Sequence, residues 1–151
     1  MTRTLSLMLA CIITLLLGTG CTHNDGDIGD LFGWWTLDSL TADGTPTPLT
    51  DGEVLLCTWA FQTSVIQIQE TLDHAEARRY KGSWSREGDL LMLNFSYTDN
   101  AGGSYVPSER FHLLPGVTPL TILKLDGSRM HLRYTHPDDG TVYDYYLSKP
   151  F

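Results

Sequence analysis

Apolar and polar residues alternate in short runs from about residue 31 onward, and clusters of Gly, Pro, Asp and Asn separate the runs. Alternation with a period of two predicts β-strands with one buried face, and the clusters between the runs predict turns. The Asp126-Gly127 pair between two such runs is typical of a hairpin. The pattern predicts strands at Trp34–Leu40, Val54–Thr63, Val65–Thr71, Ala77–Ser85, Leu90–Tyr97, Glu109–Leu114, Leu120–Leu125, Arg129–Thr135 and Val142–Ser148.

Closely spaced short strands without an amphipathic helix between them indicate an all-β fold. Full closure of the sheet removes the unpaired strand edges that promote aggregation. We therefore predict an antiparallel up-and-down β-barrel of about eight strands. No repeat of fixed period is present, which argues against a propeller or a solenoid.

The first twenty residues follow a different pattern. Arg3 lies in a short polar start, and Leu5 to Leu17 form an almost wholly apolar run of thirteen residues. That run is too short to span a bilayer core but has the length of a signal-peptide hydrophobic region. A buried core helix is the alternative, and it lacks a polar face with helical spacing.

The stretch Leu17-Gly-Thr-Gly-Cys21 resembles the lipobox of bacterial lipoproteins. The resemblance implies cleavage before Cys21 and acylation of that cysteine, whereas ordinary secretory cleavage would leave a bare thiol. Thr22 stands where an inner-membrane retention signal has Asp, which implies the outer membrane of a Gram-negative envelope. We therefore predict a signal peptide over 1–20, a flexible tether over 21–30 and a folded domain over 31–151.

The chain is acidic, with a formal net charge of −8 from 10 basic and 18 acidic residues. Nucleic-acid binding needs clustered Lys and Arg, so this class of partner is excluded. Electrostatic docking on anionic lipid is disfavoured for the same reason, and membrane attachment is assigned to the lipid anchor at Cys21.

Of the three cysteines, Cys57 alone would remain unmodified after processing, so an intramolecular disulfide is excluded. A lone thiol in an oxidising envelope is either reactive or simply buried. Because Cys57 lies in the apolar run Leu55 to Phe61, we predict burial.

The histidines lie in no recognised catalytic or metal-binding motif, and we predict neither an enzyme nor a metal or other cofactor. His131 and Arg133 share one face of a predicted strand, which we assign to solvent. Two groups of aspartates could supply calcium ligands, but we interpret them as linker and turn residues: Asp25, Asp27 and Asp30, and Asp138, Asp139 and Asp144.

Gly33-Trp-Trp35 contains the Gly-x-Trp that opens the first strand of lipocalins. The later stretches Gly82-Ser-Trp84, Gly88 to Leu93, Arg129 to Tyr134 and Tyr143 to Lys149 resemble the lipocalin-like lipoprotein domains of Gram-negative envelopes over residues 31–151. The C-terminal helix of secreted lipocalins is absent from the pattern. The resemblance implies that Gly33 and Trp35 close one end of the barrel. It also implies that Arg133 or Lys149 covers Trp35 by a cation–π contact, and of the two we expect Arg133 to be the closing residue.

An eight-stranded barrel is just wide enough to be filled by side chains or to hold one small ligand, and large aromatic residues suit either case. We predict a lipid-anchored envelope monomer that binds a small apolar or amphipathic ligand, or a neighbouring envelope protein. The alternative is a protein-interaction or protease-inhibitor-like module with a filled barrel. A pocket is expected away from the closed end, with candidate residues Trp59, Phe61, Tyr80, Trp84, Phe95, Tyr134 and Tyr145.

Overall fold

A computed structural model describes residues 29–96 and 107–150, so the predicted signal peptide, Cys21 and most of the tether lie outside the described residues. Within these ranges the protein forms nine strands and three short 3-10 helices. The strands are β1 (Gly33–Ala42), β2 (Thr45–Thr47), β3 (Val54–Gln62), β4 (Val65–Leu72), β5 (Ala77–Glu87), β6 (Leu90–Asn94), β7 (Val117–Leu125), β8 (Arg129–Thr135) and β9 (Val142–Ser148). The 3-10 helices are Gly29–Leu31, Asp73–Ala75 and Glu109–Phe111.

Eight of these strands close into an antiparallel barrel. Each strand from β3 to β8 pairs with the next one along the chain, and β1 pairs with both β3 and β9. The short β2 is an extra strand that pairs with β1 at Leu40 to Ala42, beyond the point where β1 leaves β3. The predicted all-β barrel is confirmed, and no α-helix occurs in either described range.

The barrel has two unlike ends. At the closed end β1 begins, and the β3–β4, β5–β6 and β7–β8 turns lie there. Gly88 in the β5–β6 turn has a φ of +59°, a conformation that suits glycine. At the opposite end, here called the mouth, lie the longer connections that precede β3, β5, β7 and β9.

Two predictions about elements at the mouth are wrong. Glu109 to Leu114 is not a strand: Ser108 caps a 3-10 helix at Glu109–Phe111, and His112 ends it with a φ of +52°. Thr45–Thr47, which lies in the Gly- and Pro-containing connection between two predicted strands, forms β2. Pro46 is tolerated in β2 because this short strand lies at an edge, where a missing N–H breaks no essential ladder bond.

Side chains from all eight barrel strands form a hydrophobic cluster in the interior. Its largest members are exposed by 1% or less: Trp35, Trp59, Phe61, Phe95, Phe111, Tyr134 and Tyr145. Phe95 packs over Gly82, where an added Cβ would lie 2.8 Å from the Phe95 ring and closer still to the Asn94 carbonyl oxygen. Gly82 is therefore required for the close approach of Phe95.

In the ranges 29–96 and 107–150, no helix has the length and apolar character needed to cross a membrane.

Candidate functional site: the plugged mouth of the barrel

The closed end is built around Trp35. Its indole Nε1 donates to the Leu31 carbonyl oxygen at 2.8 Å, and the Lys149 ammonium lies 4.7 Å from the centre of its ring. Lys149 also donates to the Asp30 carbonyl oxygen at 3.0 Å. Gly33, with a φ of +116°, lies beside the Lys149 side chain. Trp34 is half exposed while Trp35 is fully buried, as strand alternation predicts.

Arg133 does not lie over Trp35, so its expected role in covering that ring is wrong. Residues 133 and 144 are opposite each other on β8 and β9, and the Arg133 guanidinium holds both carboxylate oxygens of Asp144, at 2.9 and 3.1 Å. His131 Nε2 lies 2.7 Å from the same carboxylate, and its ring stacks on Tyr146. This cluster is on the outer wall. Lys149, the other basic residue that the lipocalin resemblance implies, follows the end of β9 and reaches the closed end.

The mouth is occupied by a short segment, Ser108 to Leu113, which we call the plug. Phe111 at its centre is fully buried, and its carbonyl oxygen accepts a hydrogen bond from the Tyr145 hydroxyl at 2.8 Å. Its ring meets Tyr80 edge to face, with 6.4 Å between ring centres. Both tyrosines belong to the barrel wall, so the plug inserts among the interior side chains.

Polar contacts hold the plug in place. The Arg110 guanidinium donates to Glu70 at 2.7 Å, to Asp51 at 2.8 Å and to the Leu49 carbonyl oxygen at 3.0 Å. Glu70 is fully buried and also accepts a hydrogen bond from the Tyr80 hydroxyl at 2.8 Å. A buried carboxylate is tolerated only when it is paired and hydrogen-bonded, so Arg110 and Glu70 depend on each other. We call Arg110, Glu70, Asp51 and Tyr80 the latch.

The latch shifts the ionisation of its members and neighbours. The hydrogen bond from Arg110, followed by those from the Val54 and Glu53 backbone, holds the pKa of the Asp51 carboxyl well below its usual range. Burial and the hydrogen bond to Glu70 raise the pKa of Tyr80 to about 12. Asp51 is therefore ionised near neutral pH, and Tyr80 keeps its proton and acts as a donor.

Cys57 is buried, which confirms the prediction from its apolar surroundings. Its thiol lies 3.5 Å from the Leu49 carbonyl oxygen, the same oxygen that Arg110 contacts. Burial, and then the negative charge of Glu70, raise its pKa to about 11. A thiol with so high a pKa is a poor nucleophile, since the thiolate is the reactive form.

The predicted pocket residues divide between the two ends of the interior. Phe61 and Trp84 lie toward the closed end, with ring centres 5.6 Å apart, and Trp84 Nε1 donates to the Gln62 carbonyl oxygen at 2.9 Å. The expected place of Phe61 and Trp84 near the opposite end is therefore wrong. Trp59 and Tyr145 meet at 5.5 Å, and Tyr145 in turn contacts the plug.

The remaining members of the predicted pocket set are Tyr80, Phe95 and Tyr134. Tyr80 belongs to the latch, and Phe95 covers Gly82. Tyr134 lies near the β8–β9 turn, where its ring is 6.3 Å from that of Tyr143. The His112 ring stacks on the Tyr143 ring, with 4.5 Å between ring centres. Burial lowers the pKa of His112. The structure thus places Tyr80 and Tyr145 against Phe111, and Trp59 against Tyr145.

Two interior polar atoms, Trp59 Nε1 and the Tyr134 hydroxyl, are buried with no hydrogen-bond partner among the described residues. Both side chains are exposed by 1% or less. A buried donor left unsatisfied costs roughly 1–3 kcal/mol, so a polar atom delivered to either site would be held firmly. These two groups are the interior positions best suited to a guest molecule.

Two concave surfaces lie outside the barrel interior. A cavity of about 400 Å³ lies along the seam where β1 leaves β3, beside Leu55 and Leu56. A second, of about 480 Å³, lies at the closed end beside Arg129 and Lys149. Neither is lined by the predicted pocket residues. No group of three or more His, Cys, Asp or Glu side chains in the described part of the chain is arranged to hold a metal ion.

Sequence reasoning did not single out the latch. One signal was present, because Glu70 occupies an inward position of β4 in the series Ile66, Ile68, Glu70 and Leu72. A charged residue in an otherwise apolar inward series indicates a buried partner. Arg110, the partner, lies forty positions away in a segment predicted as a strand, and no local pattern connects the two.

A family model described as a lipocalin-like domain matches residues 14–137 of the chain. Among solved structures, the chain is similar to a lipocalin-like protein from Bacteroides uniformis, with 19% identity, a TM-score of 0.58, and coverage of 81% of this chain and 100% of that one. An uncharacterized protein from Bacteroides eggerthii is similar at 15% identity and a TM-score of 0.58, covering 79% of this chain and 98% of that one. Both likenesses are likenesses of fold. No curated protein matches the chain in sequence.

Proposed function

Because this chain belongs to the family of lipocalin-like domains, we propose that it binds a small, largely apolar molecule inside the barrel, beneath the plug. The observation that carries the proposal is the pair of unpartnered polar atoms, Trp59 Nε1 and the Tyr134 hydroxyl, in an apolar interior. Binding sites for small molecules are mostly apolar, with a few polar groups that fix orientation. The proposal assigns no catalytic step to the protein.

The guest takes the place of the Phe111 ring. Phe111 enters the interior from the plug at the mouth and not from a barrel strand. When the plug withdraws, the faces of Tyr80 and Tyr145 become walls of the vacated space. Trp59 lies behind Tyr145, with 5.5 Å between the two ring centres. Since an indole N–H only donates hydrogen bonds, the guest presents an acceptor such as a carbonyl or ether oxygen to Trp59.

Native mass spectrometry of the mature chain purified from its host tests the proposal directly, because a bound molecule appears as added mass. A complementary titration uses an apolar fluorescent probe, 1-anilinonaphthalene-8-sulfonate. Trp59→Phe removes the indole donor and keeps an aromatic ring, so loss of one hydrogen bond weakens binding by roughly 5- to 100-fold. Phe111→Ala vacates space at the mouth and strengthens binding.

The matched control is Phe32→Ala, which removes an exposed phenylalanine at the closed end and leaves probe binding unchanged. Equal affinities for the wild type, Trp59→Phe and Phe111→Ala would show that the probe binds elsewhere. In that case the interior would serve as packed core alone, and the ligand proposal would fail.

A second candidate is a protein-interaction module with a filled barrel. The seam cavity beside Leu55 and Leu56 favours it, because these two leucines are 56% and 41% exposed on the outer wall. Exposed apolar groups next to a concave surface are typical of interaction sites. Photo-crosslinking from position 55 in intact cells tests this role, and a protein adduct lost in Leu56→Asp would support it.

The anchor is part of the proposed function. The lipobox-like stretch before Cys21 supports acylation there, and the chain then acts as a monomer on the outer membrane of a Gram-negative envelope. Two or more acyl chains give stable anchoring where one does not. Mass spectrometry of the membrane fraction checks the modification, and an unmodified N-terminus at Cys21 would remove the anchor from the proposal.

A further inference from the structure

Exposed apolar side chains form a rim around the closed end of the barrel. Val65 and Leu90 are the first residues of β4 and β6, and Leu123 lies at a bulge two residues before the end of β7. Phe32 and Trp34 flank the start of β1. The exposed fractions of Phe32, Trp34, Val65, Leu90 and Leu123 are 48%, 48%, 42%, 43% and 46%.

The rim lies at the end where the chain enters the domain. The 3-10 helix Gly29–Leu31 leads directly into β1, and Lys149 and Trp35 both bond to its carbonyl groups. Cys21 stands eight positions before Gly29. Eight residues span at most about 28 Å when fully extended, so an anchor at Cys21 keeps the closed end within that distance of the bilayer.

We propose that the rim at the closed end docks onto the lipid headgroup region of the membrane that holds the anchor. This inference rests on the proposed acylation of Cys21. The two aromatic residues next to the tether, Phe32 and Trp34, enter the interface, where the amphipathic ring of Trp is favoured. Val65, Leu90 and Leu123 follow around the rim.

Apolar contact is the driving force of this docking, because the chain carries a net charge of −8. An electrostatic attachment would weaken as salt shortens the screening length, whereas burial of apolar side chains persists. Docking in this orientation directs the mouth, with the plug and the latch, away from the lipid. The proposed ligand entry then faces the aqueous compartment.

The test uses the acylated mature protein in vesicles of phosphatidylethanolamine and phosphatidylglycerol. A fluorophore is attached to a cysteine at one of four positions that form two matched pairs. Val65 and Leu90 at the closed end are 42% and 43% exposed, and Val117 and Leu56 toward the mouth are 42% and 41% exposed. Cys57 is buried with a raised pKa, so the folded protein is labelled at the introduced cysteine.

Nitroxide-bearing lipids are expected to quench the probe at positions 65 and 90 and to leave the probe at positions 56 and 117 unquenched. The quenching persists at high salt, and Trp34→Ser with Phe32→Ser reduces it. Quenching toward the mouth, or at no position, would overturn the docking. Shielding of positions 65 and 90 in the absence of lipid, together with a dimer mass, would assign the rim to a second copy and would also overturn it.

The mass of the Cys21 peptide is measured on the same sample, and it separates the two ways of failing. An unmodified Cys21 overturns the anchor and the docking that rests on it. An acylated Cys21 with unquenched probes at positions 65 and 90 overturns the docking alone and leaves the anchor in place.

Discussion

Replacing Arg110 with Met removes the cation of the latch and keeps most of the apolar stem of the side chain. Glu70 is then left fully buried, with the Tyr80 hydroxyl as its remaining hydrogen-bond donor and Arg78 at 3.8 Å. Removing one partner of a buried ion pair costs roughly 3–5 kcal/mol, because the other charge stays buried without compensation. Since Tyr80 and Arg78 remain near the carboxylate, we expect the lower limit, about 3 kcal/mol. Asp51 is largely exposed and adds little.

Urea unfolding of the mature chain measures this loss. For an m-value of about 2 kcal/mol/M, the midpoint is expected to fall by roughly 1.5 M. The double variant Arg110→Met with Glu70→Gln removes both charges, and it regains about 2 kcal/mol relative to the single variant, because replacing both partners of a buried pair is nearly neutral. Arg129→Met, which removes an exposed arginine outside the latch, is the control for a general loss of positive charge. A loss below about 1 kcal/mol in Arg110→Met, or a double variant no more stable than the single one, would refute the role of the latch.

Three further outcomes are expected from the same chain. The pKa of Asp51 is lower in the folded chain than in the unfolded chain, where it is about 4. Asp51 therefore stabilises the fold above that pH, and the stabilisation is lost as the pH falls below it. Acid unfolding followed by tryptophan fluorescence should accordingly be less steep in Asp51→Asn. Cys57, with a pKa of about 11 and a buried thiol, should resist Ellman's reagent at pH 8 in the native protein and react promptly in urea, and rapid native labelling would contradict its burial. Gly82→Ala places a Cβ against Phe95 and the Asn94 carbonyl, and a thermal melt should show a loss of stability of roughly 1–3 kcal/mol. The double variant Gly82→Ala/Phe95→Leu should recover part of this loss. A full recovery would show that the contact with the Asn94 carbonyl costs nothing.

The barrel wall was predictable because its signal is local. In β4, β8 and β9, alternation with a period of two places one face inward, and the turn residues between strands mark where each one ends. The bounds predicted for Arg129–Thr135 and Val142–Ser148 agree with the structure. The inward side of Trp35 and the burial of Cys57 follow from the same alternation.

The plug was not predictable from local pattern. Phe111 and Leu113 alternate with polar residues just as a strand would, yet the segment turns at His112 and inserts into the barrel. Its conformation is decided by tertiary contacts, above all those of Arg110 with Glu70, which lie forty positions apart. β2 was not predictable for a similar reason. Its three residues, with a central proline, pair with β1 only because β1 no longer pairs with β3 at that point.

The sequence alone also could not show whether Arg133 or Lys149 covers Trp35 at the closed end. Arg133 lies inside β8 opposite Asp144, so a carboxylate on the next strand captures its guanidinium on the outer wall. Lys149 follows β9, beyond the last ladder pair, and its flexible stem turns over the rim to Trp35. Cross-strand register decides which of the two is free to turn, and register is set by the whole sheet.

Closure of the barrel joins the first long strand of the domain to the last one. Thr36 on β1 is paired with Ser148 on β9, and the Ser148 hydroxyl donates to Asp38, 110 positions earlier in the chain. When strands so far apart in the sequence pair, the chain loses loop-closure entropy before the contacts that compensate the loss can form. Folding is therefore expected to be slow for a domain of this size. Until β9 arrives, β1 and β8 both expose an unpaired edge. The protein is therefore most exposed to aggregation and proteolysis in the interval between its synthesis and the docking of its last strand, and a chaperone that shields β1 during that interval would raise its yield.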